Sequence, residues 1–339
     1  MQRHLRIGKN AANPMMIARL ATLSLVALVV AACQTNTATG RDQLLFMSAE
    51  QEQKIGDQEH PKLVKAFGGE FDNNALDQYV TAVGKTLDVY AETENVVYTY
   101  TVLDSEIANA FALPGGYVHI SRGLLALMNN EAELASVLAH EVGHITGRHS
   151  AERYSRGTLA QVGVLAAAVL TGSQQVAQAA GTGAQLYLAS YSRGQESESD
   201  RLGLRYMNKA GYNPVAMGTM LGQLGRNSTT LAKVAGREAS QQFDMLSTHP
   251  QTPQRIRDAD AAAAALEPKG DILRRDTFLS KIDGIPFGPG RAAGAIRGQR
   301  YGNLDDNIFW QAPSGYKLTA GSSNSVRAQG PNGTSVLYD

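Results

Sequence analysis

The chain has 339 residues, 43% of them hydrophobic and 18% charged, enough to bury one sizeable core and a smaller second one. Its 31 Lys and Arg balance its 31 Asp and Glu, so no summed field draws it to nucleic acid and no nucleic-acid partner is expected. The single cysteine, Cys33, excludes an intramolecular disulfide framework and any cysteine-based zinc site, leaving His, Asp and Glu for metal chemistry.

Arg3, Arg6, Lys9 and Arg19 precede an apolar run from Leu20 to Ala32 that is too short to span a bilayer comfortably, so the stretch reads as a secretory signal. It ends in Val30-Ala31-Ala32-Cys33, which resembles a bacterial lipoprotein signal: residues 1–32 are removed and Cys33 carries the acyl chains. An uncleaved membrane anchor with an incidental cysteine is the alternative, and under either the bulk of the chain is exported. Residues 33–44 are expected to be a flexible tether, because 34–41 are rich in Thr, Asn and Gly. Gln34, rather than Asp, after the cysteine resembles an outer-membrane sorting pattern. That implies a lipoprotein facing the periplasm from the outer membrane, with inner-membrane anchoring as the alternative.

Ser48 is placed to cap a helix through about Phe67, and Leu76, Val80, Val83 and Leu87 give residues 74–90 helical periodicity. The β-branched and aromatic run Val96–Leu103, then Ala108–Leu113, a Pro114-Gly115-Gly116 turn and Tyr117–Ser121 predict a small antiparallel sheet. A helix starts again at Asn130, with Glu133 placed for a capping box and Gly147 as its stop. Residues 158–190, rich in Ala, Gly, Val and Gln, read as a buried or lid-forming helical hairpin, since the apolar core 162–170 is too short to cross a membrane. Helices follow from Tyr191 to Ala210, from Asn213-Pro214, and from Thr252-Pro253 to about Leu266. Beyond about residue 270 Gly and Pro become frequent and short strand-like runs appear. The expected fold is therefore α+β: a mostly helical domain over residues 45–268 holding the small sheet, then a β-rich appendage over 269–339.

His140-Glu141-Val142-Gly143-His144 sets two imidazoles four residues apart, so on a helix they share a face and can grip one metal ion, with zinc expected. Glu141 borders the site without sharing the ligand face, which is where a base must stand to take a proton from water activated by the metal. The pentapeptide also arises by chance in unrelated helices, so a third ligand is needed. Glu196-Ser197-Glu198-Ser199-Asp200 is the best supply: Glu196 and Asp200 share a helix face, whereas Glu198 turns almost to the other side. Glu196 is assigned as the third metal ligand and Asp200 as the carboxylate that accepts the free N–H of a ligand histidine and fixes its tautomer. Gly203, one turn on, would let this helix approach its neighbour closely.

HEVGHITGRHS, then ESESDRLGL about fifty residues later and STHP at 247–250, resemble the zinc metallopeptidase family that includes the CAAX prenyl-protease, HtpX and BepA. The match runs from about residue 45 to 266, and without multiple transmembrane helices the chain is similar to the soluble, BepA-like branch. The resemblance implies a zincin-like fold, His140, His144 and Glu196 as zinc ligands, Glu141 as base, and NAFALPGGYVHIS (109–121) as the strand that pairs with an extended substrate. It implies for His249 a role either as a plug on the zinc or as a donor to the oxyanion, beside the plain reading as a loop histidine. His119 is read as a strand residue, His149 as stabilising a helix end, and Arg255 as lining the cleft or lying on a solvated face. The tetratricopeptide helices usual in that branch are not evident; LSKIDGIPFGPG and the following residues resemble a β-rich appendage of some exported members.

The expected function is zinc-dependent hydrolysis of misfolded or misassembled exported polypeptides, with membrane attachment through the lipid anchor. A chaperone or assembly factor with a self-plugged protease site is the alternative.

Overall fold

A computed structural model of the chain describes residues 33–93, 95–171, 190–235, 245–250, 253–288, 294–303, 307–320 and 325–338. The expected signal segment and most of the expected 158–190 hairpin lie outside these residues. Among those described, no helix is long and apolar enough to cross a membrane.

The architecture is α+β. Two short strands, β1 (Cys33–Thr35) and β2 (Asp42–Leu44), pair antiparallel, so 33–44 is a docked hairpin and not the expected flexible tether. The reason is tertiary. Asn36 Nδ2 donates to the Thr146 carbonyl at 2.8 Å and Gln43 Nε2 to the Gly147 carbonyl at 2.6 Å, and Leu45 and Met47 bury themselves beside Ala151. Polar composition alone does not show that these amides have distant partners.

Helix α1 (Ala49–Ala66) begins with the expected cap, in which Ser48 and Gln51 bond reciprocally, and α2 (Asn74–Asp88) buries Leu76, Val80, Val83 and Leu87. Strands β3 (Thr99–Leu103), β4 (Ala110–Leu113) and β5 (Tyr117–Ser121) form one sheet in the order β3-β5-β4. The sheet is mixed, correcting the antiparallel expectation: β4 and β5 form a hairpin through Gly115 and Gly116, but β5 lies between β4 and β3 and runs parallel to β3. Residues 69–71 cover the outer side of β3, with Phe71 N–H donating to Val102 and Asp104 N–H to Gly69. That leaves β4 as the edge of the sheet.

The short helix α3 (Arg122–Leu125) leads into α4 (Glu131–Thr146), which is buried on nearly every face and carries the His-Glu-Val-Gly-His sequence. Its expected capping box is not closed. Asn130 accepts from the Glu133 N–H, but the Glu133 carboxylate accepts from the Asn129 N–H and from Thr219 and Gln223 instead. Gly147 ends α4 as expected, and α5 (His149–Thr171) starts immediately after Arg148, whose φ of +51° makes the corner.

Helix α6 (Arg193–Lys209), capped by Ser192 and Gln195, lies along α4. A Cβ on Gly143 would fall 2.7 Å from Ser199 Oγ and 2.9 Å from its carbonyl oxygen, and one on Gly203 would fall 3.1 Å from the backbone of Ala139 and His140. These two glycines let the helices approach at backbone distance. Helix α7 (Val215–Ala235), the single turn α8 (Met245–Thr248) and α9 (Pro253–Ala265) complete the helical layer.

The expected strand-rich character after 269 does not begin there. Helix α10 (Arg275–Ile282) inserts Phe278 into the main core, Arg274 pairs with Glu131, and Arg122 donates to the Pro286 carbonyl. The β-rich part starts at residue 295: β6 (Ala295–Arg297), β7 (Arg300–Asn303) and β8 (Ile308–Gln311) form one antiparallel sheet. A second contains β9 (Lys317–Ala320), β10 (Val326–Gln329) and β11 (Ser335–Tyr338). The two share a small core around Tyr301, Leu318, Val326 and Ala328.

Candidate metal centre

Helical spacing puts His140 and His144 on one face of α4, with their Nε2 atoms 3.0 Å apart. The first turn of α6 supplies Glu196, whose Oε1 is 3.4 Å from His144 Nε2 and whose Oε2 is 3.6 Å from His140 Nε2. His249, just after α8, brings Nδ1 to 3.3 Å from His140 Nε2 and 3.0 Å from Glu196 Oε1. These four residues are the one group of potential metal ligands that converges among the described residues, and all are buried. A tetrahedral zinc ion with bonds of about 2.0–2.1 Å has its ligand atoms about 3.3–3.4 Å apart. The observed separations of 3.0–3.4 Å among the nearest atoms fit such an ion. The donor set fits too, since two or three neutral imidazoles and one carboxylate are ordinary zinc ligands.

Glu141 stands beside this group, fully buried, with Oε1 at 3.5 Å from His249 Nε2. Burial pushes its carboxyl above the usual range, against the pull of His249 and His140, so the group is disposed to take up a proton. Burial likewise holds the His144 imidazole neutral, the form a metal requires.

Asp200 Oδ1 lies 2.9 Å from His140 Nδ1. Arg255 is buried and not on a solvated face. It forks onto both Asp200 oxygens at 2.7 and 2.8 Å, touches Glu196 Oε2 at 2.5 Å and donates to the Pro250 carbonyl. His144 has a different outer partner. Its Nδ1 is 2.8 Å from Nδ1 of His149, whose Nε2 is 2.8 Å from Glu198 Oε2. His149 therefore does more than stabilise a helix end. His119 stays apart from these four residues: it is stacked on Phe111 and 2.9 Å from His60, and burial, with His60 beside it, pushes its imidazole down to about 3.

Tyr191, read from the sequence only as the start of a helix that in fact begins at Arg193, stands at the site. It stacks on His144 at 3.8 Å between ring centroids, lies under the Arg153 guanidinium, and its N–H donates to the Thr248 carbonyl. A tyrosine just ahead of a helix carries no spacing signal, so only the packing identifies it. The turn bearing His249 is braced on its other side by Met245 N–H, which donates to Ala108 next to the edge strand β4.

The model of peptidase family M48 matches residues 72–263. The chain is 32% identical over 245 residues to a beta-barrel assembly-enhancing protease of Yersinia pestis, covering 70% of this chain and 49% of that protein. It is 29% identical over 244 residues to the protein of the same name from Escherichia coli K12, covering 69% and 48%. With the mitochondrial metalloendopeptidase OMA1 of Schizosaccharomyces pombe it shares 33% over 181 residues, covering 53% and 50%. The chain thus spans about half the length of these relatives.

Arg255 is the countercharge for two buried carboxylates, and removing one partner of a buried pair costs about 3–5 kcal/mol. Arg255→Met is expected to lose stability of that order in chelator-treated protein, read by urea unfolding; an unchanged midpoint would show that the carboxylates do not depend on it.

Proposed function

The chain belongs to peptidase family M48, and from that premise we propose that it is a zinc-dependent endopeptidase acting on misfolded or misassembled proteins of the cell envelope. The observation that carries this reading is the convergence of His140, His144 and Glu196 beside the buried carboxylate of Glu141, which has no side-chain hydrogen-bond partner among the described residues. A zinc ion held there would polarise a scissile carbonyl and acidify water. Glu141 would take the proton at its carboxylate and return it to the leaving amine. Asp200 orients His140, and Arg255 neutralises the carboxylates of Glu196 and Asp200. Edge strand β4 would pair main chain to main chain with an extended segment, a mode that tolerates many sequences and suits unfolded clients. The names of the relatives support a place for the protein in β-barrel assembly. Cys33, as the lipid-bearing residue, would hold it at the membrane, facing the periplasm.

A second reading, as a chaperone or assembly factor with a latent protease site, draws on His249. It lies within 3.3 Å of both His140 and Glu196, in a cluster that is buried throughout, and would fill the fourth position that a catalytic zinc site keeps open. Among the described residues its turn is tied by two backbone bonds, with Ala108 and Tyr191, and by the Arg255 guanidinium donating to the Pro250 carbonyl. Substrate entry requires this turn to move.

Glu141→Gln is expected to abolish cleavage of unfolded casein while leaving bound zinc stoichiometric; equal cleavage by the variant would sink the peptidase reading. His249→Ala is expected to raise proteolysis if the residue is a plug, and a fall in rate would assign it to the oxyanion instead. Fatty-acid labelling of cells should mark the wild type and not Cys33→Ser; labelling of both would remove the lipid anchor at that position.

A further inference from the structure

Both predicted ligand histidines need an outer partner that fixes which nitrogen bears the proton. His140 has Asp200 directly. His144 reaches its carboxylate through a second imidazole, and the order of protons along that path follows from the acceptor at its end.

Glu198 as a carboxylate can only accept, so the proton between it and His149 sits on His149 Nε2. A neutral His149 then presents a bare Nδ1, which makes His144 Nδ1 the donor across their 2.8 Å contact. His144 Nε2, the atom in the cluster, is thereby left with its lone pair free. The ligand competence of His144 is thus set from the outer end of the relay.

That outer end is held by the N-terminal hairpin. Arg41 forks onto Glu152 at 2.8 and 2.9 Å and places Nε and Nη2 on Glu198 at 3.1–3.3 Å. Asn36 and Gln43 of the same hairpin fasten it to the carbonyls of Thr146 and Gly147, at the end of α4 just after His144.

We propose that the hairpin Cys33–Leu44 completes the metal site, with Arg41, Glu198 and His149 acting as positioning residues that hold His144 with Nε2 presented to the metal. The proposal rests on His144 being a metal ligand. It makes docking of the segment next to Cys33 a condition for tight metal binding, so anything that pulls the hairpin away loosens the ion.

The test is zinc affinity of the purified full chain, stripped and titrated with zinc against a chelating indicator. Glu198→Gln and His149→Phe are expected to weaken zinc binding about 10–100-fold, the range for outer partners of metal-bound histidines, and Arg41→Met by about tenfold. Arg156→Gln, which removes an exposed partner of Glu152 outside the relay, should bind zinc like the wild type. The effect of Arg41→Met should vanish in the His149→Phe background, since both act through one path. Wild-type affinity in Arg41→Met, or a loss that persists in full beside His149→Phe, overturns the relay; the second result assigns Arg41 to hairpin packing alone. If Arg41→Met does not fold, Glu198→Gln decides, and unchanged affinity there overturns the proposal. A wild-type chain that binds no zinc refutes the underlying reading of the site, an outcome separate from failure of the relay.

Discussion

The backbone-distance contact of α4 with α6 is the constraint on which the site depends. Two helices with ordinary side chains at the crossing keep their axes about 8–10 Å apart. Gly143 and Gly203 remove the side chains at the crossing, and Ser199 Oγ donates to the His140 carbonyl across it. Only then do the faces bearing His140, His144, Glu196 and Asp200 come within ligand distance.

Bringing these groups together in the interior sets an electrostatic problem, because Glu141, Glu196 and Asp200 are all buried. Arg255 supplies a fixed positive charge to two of them. Despite the opposing effect of burial, His249, His144 and His140 keep Glu196 well below the usual carboxylate range. Glu141 alone among the three has no side-chain hydrogen-bond partner among the described residues, and burial pushes its carboxyl above the usual range. The same cluster thus contains carboxylates held ionised by partners and one left uncommitted.

The elements around the centre fasten it from several sides. The hairpin Cys33–Leu44 is tied to the end of α4, the turn carrying His249 is tied to Ala108 just ahead of β4 and to Tyr191, and α10 closes the opposite end of α4 through Arg274 and Glu131. Among the described residues the turn with His249 is tied by two main-chain bonds to other elements, one of them to Ala108 just ahead of β4. The small β module beyond residue 295 has its own core, and none of its described residues belongs to the group of His140, His144, Glu196 and His249.

Much of the site could be read in the sequence because helical periodicity is a local property. Four-residue spacing puts His140 with His144 and Glu196 with Asp200, and turns Glu198 away, wherever these helices lie. The capping residues Ser48 and Asn130 mark helix starts for the same local reason. Long-range partners have no such signature. Arg41 meets Glu152 and Glu198 across more than a hundred residues, so a polar stretch that reads as a tether folds into a hairpin. Strand order likewise escapes composition, because β5 can pair with β4 and β3 at once only after β3 has been brought alongside. His149 and Arg255 were visible as residue types, but their roles come from which buried groups surround them. Local spacing determined what each helix offers; the close approach of the helices decided which of those groups meet, because buried charges and donors are stable only where a distant partner satisfies them.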